Sequence, residues 1–336
     1  MALRLGKLPL ALQEEILALR GAEDPGVHLG PAIGEDAAVV VMGEEYLVLT
    51  TDPITFAQEE IGWYAVHANA NDVATRGARP RWFQAALLFP PGTTASVVRG
   101  VVRQIHEACK ELDIAVTGGH SEVTDAVDRV VVVGDLQGTV PRGRLVTTGG
   151  AQEGDDLILT KAAGIEGTAL LARARGEELV QEFGETFVAR AANFLRNPGL
   201  SVVPEARLAA DKGAHAMHDP TEGGVAMSLL EMSHASGRVL HVTPATIPVQ
   251  EETEAICAHF GLTPFGLLAS GALAIAMPPE KTASLLDLLE GEGIPGARVG
   301  LVGDRGVGVQ VDGATPHAFE PSERDEVARV LSDEKA

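Results

Sequence analysis

The chain has 336 residues, of which 45% are apolar and only 4% aromatic, and this length predicts two domains rather than one. Its formal net charge of −21 at pH 7 argues against binding to nucleic acids or to anionic lipid surfaces. Two cysteines cannot form a disulfide framework, the first 20 residues do not resemble a signal peptide, and no apolar run reaches the roughly 20 residues that span a bilayer, so we expect a cytoplasmic protein without a membrane segment.

Five short strands and two helices are predicted in the first half of the chain. β-branched or alternating apolar runs bounded by Gly, Pro or Asp predict strands at residues 37–41, 46–50, 81–89, 114–117 and 129–134. Apolar residues at helical spacing predict helices at 60–75 and 98–109. Cys109 lies on the apolar stripe of the second helix, which favours packing over chemistry. The aperiodic stretch 141–154 is the predicted linker.

Helices and strands follow one another in mixed order in the second half. The predicted strands are 156–160, 272–277, 298–302 and 307–311, and the predicted helices are 180–196, 204–213 and 222–236. Residues 303–306 predict a hairpin turn between the last two strands. The mixed order indicates the α+β class, with a mixed sheet in the N-terminal domain and α/β layers in the C-terminal domain. We place these domains at residues 1–145 and 155–315, followed by a helical tail at 316–336.

Three aspartates, Asp36, Asp52 and Asp72, each follow a short apolar stretch in the first 75 residues. Any one of them alone fits a turn, a cap or a polar helix position. Together they put carboxylates beside segments predicted to be buried, and a hard cation such as Mg²⁺ is the usual compensation. Gly118-Gly119 follows another predicted strand. Because the sequence has neither a P-loop nor a dinucleotide fingerprint, these positions predict a metal–nucleotide site on a different scaffold.

A second motif, His218-Asp219-Pro220-Thr221-Glu222-Gly223-Gly224, precedes a predicted helix. Thr221 is a natural N-cap, and the two glycines allow a phosphate or another backbone segment to come close to the helix N-terminus. The alternative is simply a capped helix. Asp219 would add a fourth carboxylate from the second domain.

Three further positions have less specific patterns. His215 and His218 have a spacing that occurs in zinc sites, but no Cys or third His is near in sequence, so surface or supporting roles are favoured. Lys161 follows a strand and is predicted to cap a turn, with a phosphate contact as the alternative. The acidic run 251–254 is predicted to be a solvated helix start.

The motifs occur in the order of a known superfamily. The ordered set resembles the aminoimidazole-ribonucleotide synthetase superfamily, and within it the HypE group of hydrogenase maturation proteins, over about residues 25–312. The positions that carry the resemblance are Gly34-Glu35-Asp36-Ala37-Ala38, Thr51-Asp52, Asn71-Asp72-Val73-Ala74, Gly77-Ala78-Arg79-Pro80, Gly118-Gly119 and His218-Asp219-Pro220-Thr221-Glu222-Gly223-Gly224.

The resemblance implies a homodimer in which the N-terminal sheets of two subunits form a barrel-like core, ATP lies in clefts at that core and the C-terminal domain closes over it. It implies that Mg²⁺ on the ATP phosphates is held by Asp36, Asp52, Asp72 and Asp219. It also implies that Asn71, Gly118, Gly119 and Ser121 bind the nucleotide. Superfamily members phosphorylate an amide-type oxygen or, in the thiamine-phosphate kinase branch, transfer the γ-phosphoryl group to a phosphate.

Three departures from the HypE pattern affect the reaction rather than nucleotide binding. The chain ends Leu331-Ser332-Asp333-Glu334-Lys335-Ala336, without the C-terminal cysteine that carries the substrate in those proteins. His120-Ser121-Glu122 stands where they tend to have Asp-Thr-Lys, which makes His120 and Glu122 the candidate catalytic residues. Ser270-Gly271 stands where they have a Glu-Gly pair. The reactive N-terminal Cys or selenocysteine of the selenophosphate synthetase branch is also missing.

The leading hypothesis is a Mg²⁺–ATP-dependent enzyme that activates an amide-type or other oxygen by phosphorylation, with a link to hydrogenase maturation. The acceptor would be a small molecule or a protein-borne group. The first alternative is a small-molecule kinase similar to thiamine-phosphate kinase. The second is a non-catalytic ATP-binding scaffold, which the lost cysteine and the substituted centre favour.

Overall fold

The computed structural model describes residues 8–54, 59–313, 319–321 and 325–331. The chain divides into two compact units. The N-terminal unit consists of Ala22–Gly30 and Asp36–Leu145, and the C-terminal unit of Met1–Gly21, Pro31–Glu35 and Val146–Ala336. The first helix, α1 (Leu10–Leu17), belongs to the C-terminal unit.

The N-terminal unit is one mixed sheet with two helices. Its elements are β1 (Val27–Leu29), β2 (Ala38–Met42), β3 (Glu45–Ile54), α2 (Ile61–Thr75), β4 (Arg79–Phe89), α3 (Ala95–Glu111), β5 (Ala115–Val123) and β6 (Val131–Pro141). The strand order is β1-β2-β3-β6-β4-β5, antiparallel throughout except for the parallel pair β4/β5. The sheet is open, with β1 and β5 at its edges. The predicted mixed sheet is confirmed.

Helix α2 is buried on nearly every side, because it packs on β3 and β6 and also against α3. Two glycines of β6 allow its close approach: a Cβ at Gly134 would overlap the side-chain amide of Asn69, and a Cβ at Gly138 would overlap Val73. Asn69 and Val73 lie one turn apart on the face of α2 that meets the sheet. The two glycines therefore allow α2 to pack closer to β6 than larger residues would.

The C-terminal unit contains a second six-stranded sheet and most of the helices. Its further elements are β7 (Asp156–Thr160), α4 (Ile165–Ala174), α5 (Gly176–Phe183), α6 (Glu185–Ala192), α7 (Val203–Lys212), β8 (Ala216–His218), α8 (Gly224–Ser236), β9 (Arg238–Val242), α9 (Glu251–Phe260), β10 (Ala274–Met277), α10 (Pro279–Gly291), β11 (Gly296–Arg305), β12 (Gly308–Val311) and α11 (Glu326–Leu331). The strand order is β12-β9-β11-β7-β10-β8, and the core lies between this sheet and α8. The α+β class with two layered units is confirmed.

The predicted hairpin between the last two strands is wrong. Strand β11 continues through residues 303–305, and β9 lies between it and β12, which pairs with β9 in parallel. Gly303 is a strand residue whose missing side chain leaves room for the His241 ring. Glycine is typical of turns, but here it lies inside a strand because the neighbouring His241 ring leaves no room for a side chain.

Two other elements differ from their predictions. The predicted helix 180–196 is broken at Gly184, whose φ of +85° ends α5 and starts α6. Of the predicted helical tail 316–336, residues 326–331 form α11 and residues 319–321 and 325 are not helical, while 316–318, 322–324 and 332–336 lie outside the described residues. Among the described helices, none has the length and apolar character needed to cross a bilayer.

Candidate functional site

Two of the three N-terminal aspartates are linked by one hydroxyl group. Thr50 Oγ1 donates a hydrogen bond to Asp72 Oδ2 at 2.7 Å and lies 3.2 Å from the carbonyl oxygen of Asp36. Thr50 comes from β3, Asp72 from the last turn of α2, and Asp36 from the residues that precede β2. The structure therefore brings the positions of Asp36 and Asp72 together from three separate segments, as the sequence predicts.

The carboxylate of Asp36 has a buried cationic partner. Arg76 Nη2 lies 3.0 Å from Asp36 Oδ2, and the Arg76 side chain is fully buried. Arg76 follows α2 directly, and its guanidinium is also hydrogen-bonded to the hydroxyl of Thr75. A fully buried guanidinium requires a carboxylate partner of this kind. Arg76 is not among the residues predicted from the sequence. Its position just after Asn71-Asp72-Val73-Ala74 is the sequence feature that could indicate its role.

Asp52 lies on the same strand face as Thr50, because the two residues are separated by two positions on β3. Its backbone N–H donates to Asn69 Oδ1 at 3.1 Å, and Asn69 Nδ2 donates to the carbonyl of Ala65 at 2.8 Å. The α2 amide thereby fixes the backbone that carries Asp52. Asn71, a predicted nucleotide-binding residue, is also buried on α2.

Contrary to the prediction from the sequence, Gly118 and Gly119 do not follow a strand. They lie within β5, which continues to Val123 and includes His120, Ser121 and Glu122. Gly119 has a φ of +141°, and a Cβ there would overlap the carbonyl oxygen of Ala85 on β4. The prediction ends the strand too early because it treats the two glycines as a terminator, whereas close strand contact explains Gly119.

The strand register gives the separation between the aspartates and the glycines. Asp52 pairs with Gly134, Gly134 with Ala85, and Ala85 with Gly119, so one transverse row crosses four strands. Three strand spacings amount to about 14 Å. Within one chain, therefore, the sheet places Gly119 level with Asp52 but not beside it.

The two candidate catalytic residues lie on the outer half of β5. His120 Nε2 is 3.4 Å from Glu122 Oε2, and both side chains are exposed. Ser121 pairs with Leu87 on β4 and is also exposed. At 3.4 Å this imidazole–carboxylate contact is long for a hydrogen bond.

The fourth predicted metal ligand, Asp219, is buried in the C-terminal unit directly after β8. Its neighbour His218 is also buried, with Nε2 3.1 Å from Glu231 Oε2 on α8. His215 contacts Asp155 at 2.9 Å through Nδ1. Both histidines thus pair with carboxylates of the same unit, and His218 is a buried residue rather than a surface one.

The N-terminus of α8 is satisfied from within the chain. Gly223 and Gly224 both have positive φ, so Thr221 is not the N-cap that the sequence suggests. The N–H of Gly223 donates to Asp325 Oδ2 at 2.9 Å, and a Cβ at Gly224 would lie 2.5 Å from the carbonyl oxygen of Phe265. The sequence allows either a phosphate or another backbone segment to come close to this helix N-terminus. In the structure, the backbone of Phe265 lies there.

Two buried acids near this helix start, Glu166 and Asp325, are not predicted from the sequence. Burial raises the pKa of Glu166 to about 8, an effect that the hydrogen bond to Ser270 reduces and that the charges of Glu222 and Asp325 reinforce. Burial also raises the pKa of Asp325 to about 7, against the opposing hydrogen bonds from the backbone of Gly223, Val327 and Leu268. Ser270 is one of the departures from the HypE pattern, and it contacts a protonatable buried acid.

Lys161 has the turn-capping role that was favoured for it. Its Nζ lies 2.9 Å from Glu205 Oε1 and donates to the carbonyls of Gly199 and Ser201 at 3.2 and 2.6 Å. The acidic run 251–254 is not fully solvated, because Glu252 is buried and pairs with Arg190 at 2.6 Å.

Both cysteines are buried, and burial raises the pKa of each thiol to about 12. Neither is suited to act as a nucleophile near neutral pH.

Two family models match the chain in sequence order. The N-terminal domain model of AIR synthase related proteins matches residues 34–140, and the C-terminal domain model matches residues 152–312. The chain belongs to the AIR synthase related family. This finding confirms the resemblance derived from the motifs, and the two matched segments contain all four predicted metal ligands.

Similar members of this family have names connected with hydrogenase maturation. A protein of Methanocaldococcus jannaschii named for hydrogenase expression and formation is 29% identical over 296 residues, covering 84% of each chain. The carbamoyl dehydratase HypE of Rhodobacter capsulatus is 28% identical over 268 residues, covering 79% of this chain and 75% of its own. The structure of a hydrogenase maturation protein HypE in complex with ATP superimposes with a TM-score of 0.72 at 24% identity and covers 92% of both chains, which shows a shared fold.

Proposed function

We propose that this AIR synthase related protein binds ATP with Mg²⁺ and uses it to phosphorylate an amide-type or other oxygen of a small-molecule or protein-borne acceptor. The observation that carries the proposal is the meeting of Asp36 and Asp72 around Thr50, with Asp52 on the same strand face. The HypE protein solved with ATP has this fold, and the HypE relative is named as a dehydratase, which is a further reason to favour an amide oxygen.

The donor set fits a magnesium ion. All three side chains offer carboxylate oxygens, which Mg²⁺ prefers. Three carboxylates with one guanidinium, Arg76, leave a formal charge of −2 when ionised, and this charge favours a divalent cation. Asp219 remains the fourth predicted ligand, from the C-terminal unit.

When bound, Mg²⁺ neutralises charge on the ATP phosphates and on the transferring phosphoryl group. The residues of the chain position this charge. Thr50 holds one oxygen of Asp72, Asn69 holds the Asp52 backbone, and Arg76 holds Asp36. His120 and Glu122 are the proposed proton-transfer pair.

We propose a homodimer that forms through β5. This strand is at the sheet edge, and all nine of its residues are exposed, including Val116 and Val123 with 52% and 60% of their surface accessible. An edge with unpaired backbone groups and exposed valines favours pairing with another strand. Sedimentation equilibrium tests this: we expect a dimer that Val123→Lys weakens, whereas a wild-type monomer at micromolar concentration would contradict it.

Isothermal titration with ATP and Mg²⁺ tests the nucleotide site. We expect binding by the wild type and at least tenfold weaker binding by Asp72→Asn, because one ligand charge is lost. Asp128→Asn is the matched control, since this aspartate is 91% exposed in the same unit. Equal binding by the wild type and Asp72→Asn, or none by the wild type, would refute the proposal.

Product analysis with γ-labelled ATP then separates the reaction classes. A dehydratase-like enzyme given a carbamoylated or amide acceptor releases inorganic phosphate, whereas a kinase given thiamine monophosphate leaves the label on that acceptor. We expect phosphate release that His120→Ala and Glu122→Gln reduce. Binding of ATP without turnover across acceptors would support the scaffold interpretation instead.

A further inference from the structure

A second concave site lies in the N-terminal unit, at the edge where β4 and β5 begin and α3 ends. The cavity has a volume of about 530 Å³, within the size range of small-molecule pockets. Arg79, Arg81 and Trp82 of β4 line one wall, and His106 and Lys110 of α3 line the other.

The charge of this cavity is opposite to that of the protein. Three permanent cations line it, while the one carboxylate in its lining, Asp113, lies 2.5 Å from the guanidinium of Arg79. The lining therefore has a formal charge of +2 with His106 neutral, in a chain whose net charge is −21. The like charges of Arg79, Arg81 and Lys110 repel one another, and an anion bound among them would offset that repulsion.

Ordinary structural roles explain only part of this arrangement. Lys110 lies in the last turn of α3, where the helix dipole favours a cation. The dipole does not account for Arg79 and Arg81, which lie on a strand. The guanidinium of Arg81 is 4.6 Å from the centre of the Trp82 ring, and this stacking orients it beside the cavity.

This cavity is separate from the aspartate group. Trp82 pairs with Gln137 and Ala115, whereas the row that contains Asp52 crosses β4 at Ala85. Three residues along a strand correspond to about 10 Å. The cavity also supplies its own cations, so an anion needs no metal to bind there.

We propose that this cleft binds a small polyphosphate anion, of the diphosphate or triphosphate class, independently of Mg²⁺. Arginine and lysine donors from two facing elements match an anion with several oxygens better than a single carboxylate. The stacked Arg81–Trp82 pair forms a flat wall against which such an anion lies. The site goes beyond the proposed ATP reaction and does not depend on it.

The chain contains a reporter for this test. Trp82 lines the cleft, and the only other tryptophan, Trp63, is buried in α2. In the Trp63→Phe variant, inorganic pyrophosphate added in the presence of EDTA should change the Trp82 fluorescence with one saturable site per chain at submillimolar affinity. If this variant does not fold, equilibrium dialysis of labelled pyrophosphate against the wild type measures the same binding.

Four variants decide whether the signal comes from this cleft. Lys110→Ala and Arg79→Ala should each weaken pyrophosphate binding by about five- to tenfold, because each removes one unit charge near the anion. Arg99→Ala, about 16 Å away along α3, should leave it unchanged. Asp72→Asn should also leave it unchanged, which separates this site from the proposed ATP site. No saturable binding, or equal loss in Arg99→Ala, would refute the proposal.

Discussion

Two groups of buried acidic side chains, one in each unit, are compensated in opposite ways. In the N-terminal unit Asp36 is matched by the buried cation Arg76, and Asp72 by the hydroxyl of Thr50. In the described part of the C-terminal unit, Glu166 and Asp325 form no ion pair of this kind, and burial raises the pKa of Glu166 to about 8 and that of Asp325 to about 7. The first arrangement gives the carboxylates a cation or a hydroxyl donor, and the second favours protonated acids.

This difference separates two kinds of chemistry. Compensated carboxylates are suited to holding a divalent cation. A desolvated acid with a pKa near neutrality is suited to exchanging protons. The following predictions test whether the two groups behave so differently, from the largest expected effect to the smallest.

Replacing Arg76 should have the largest effect. Arg76→Met leaves Asp36 without its buried partner, and breaking a buried ion pair costs about 3–5 kcal/mol. Urea denaturation measures the change in the free energy of unfolding. Arg79→Met is the matched control: its pair with Asp113 is exposed on both sides, and such pairs contribute about 0–1 kcal/mol. A similar decrease in the free energy of unfolding in both variants would show that burial does not make the Arg76–Asp36 pair contribute more than the exposed pair.

Replacing Glu166 with a residue that cannot ionise should raise the free energy of unfolding at alkaline pH. The pKa of Glu166 is raised from 4.5 to about 8, so the folded chain retains a proton that the unfolded chain releases within this window. Wild-type stability should therefore fall as the pH rises from about 5 to about 8. Glu166→Gln keeps a hydrogen-bond partner for Ser270 but cannot ionise. We expect the free energy of unfolding of this variant, relative to that of the wild type, to increase with pH by an amount on the order of 2 kcal/mol.

Glu178→Gln is the control for that pH dependence. Hydrogen bonding to His259, followed by contact with Arg175, lowers the pKa of Glu178, so its effect has the opposite sign. Stability from Glu178 is present above its ordinary pKa and is lost on acidification, and its variant should show no gain as the pH rises. A flat pH profile for Glu166→Gln relative to the wild type would contradict the proposed protonated state.

Local patterns were enough to predict most of the strands and the meeting of the aspartates. Asp36 and Asp72 were predictable because each ends or follows an apolar segment that packs in one core. The family was also predictable, because its motifs keep their order over most of the chain. The metal and nucleotide roles of these residues stay predictions.

Other features depend on contacts between distant residues. No local signal shows that β12 pairs with β9 instead of forming a hairpin with β11, because the choice depends on where β9 lies in the sheet. Likewise, the raised pKa of Glu166 comes from burial and is reinforced by the charge of Asp325, which is more than 100 positions away in sequence.

The smallest expected effect tests how closely the aspartate group depends on helix packing. Gly134→Ala would place a methyl group against the buried amide of Asn69, which holds the Asp52 backbone. Such overpacking typically costs about 1–3 kcal/mol, and here we expect about 1 kcal/mol together with weaker ATP binding. Gly143→Ala is the control, because a Cβ there meets no atom within 4 Å and Gly143 belongs to the same unit. If Gly134→Ala loses stability while ATP binding stays intact, Asn69 supports the sheet without positioning Asp52, and the aspartate group is less dependent on α2 than its geometry indicates.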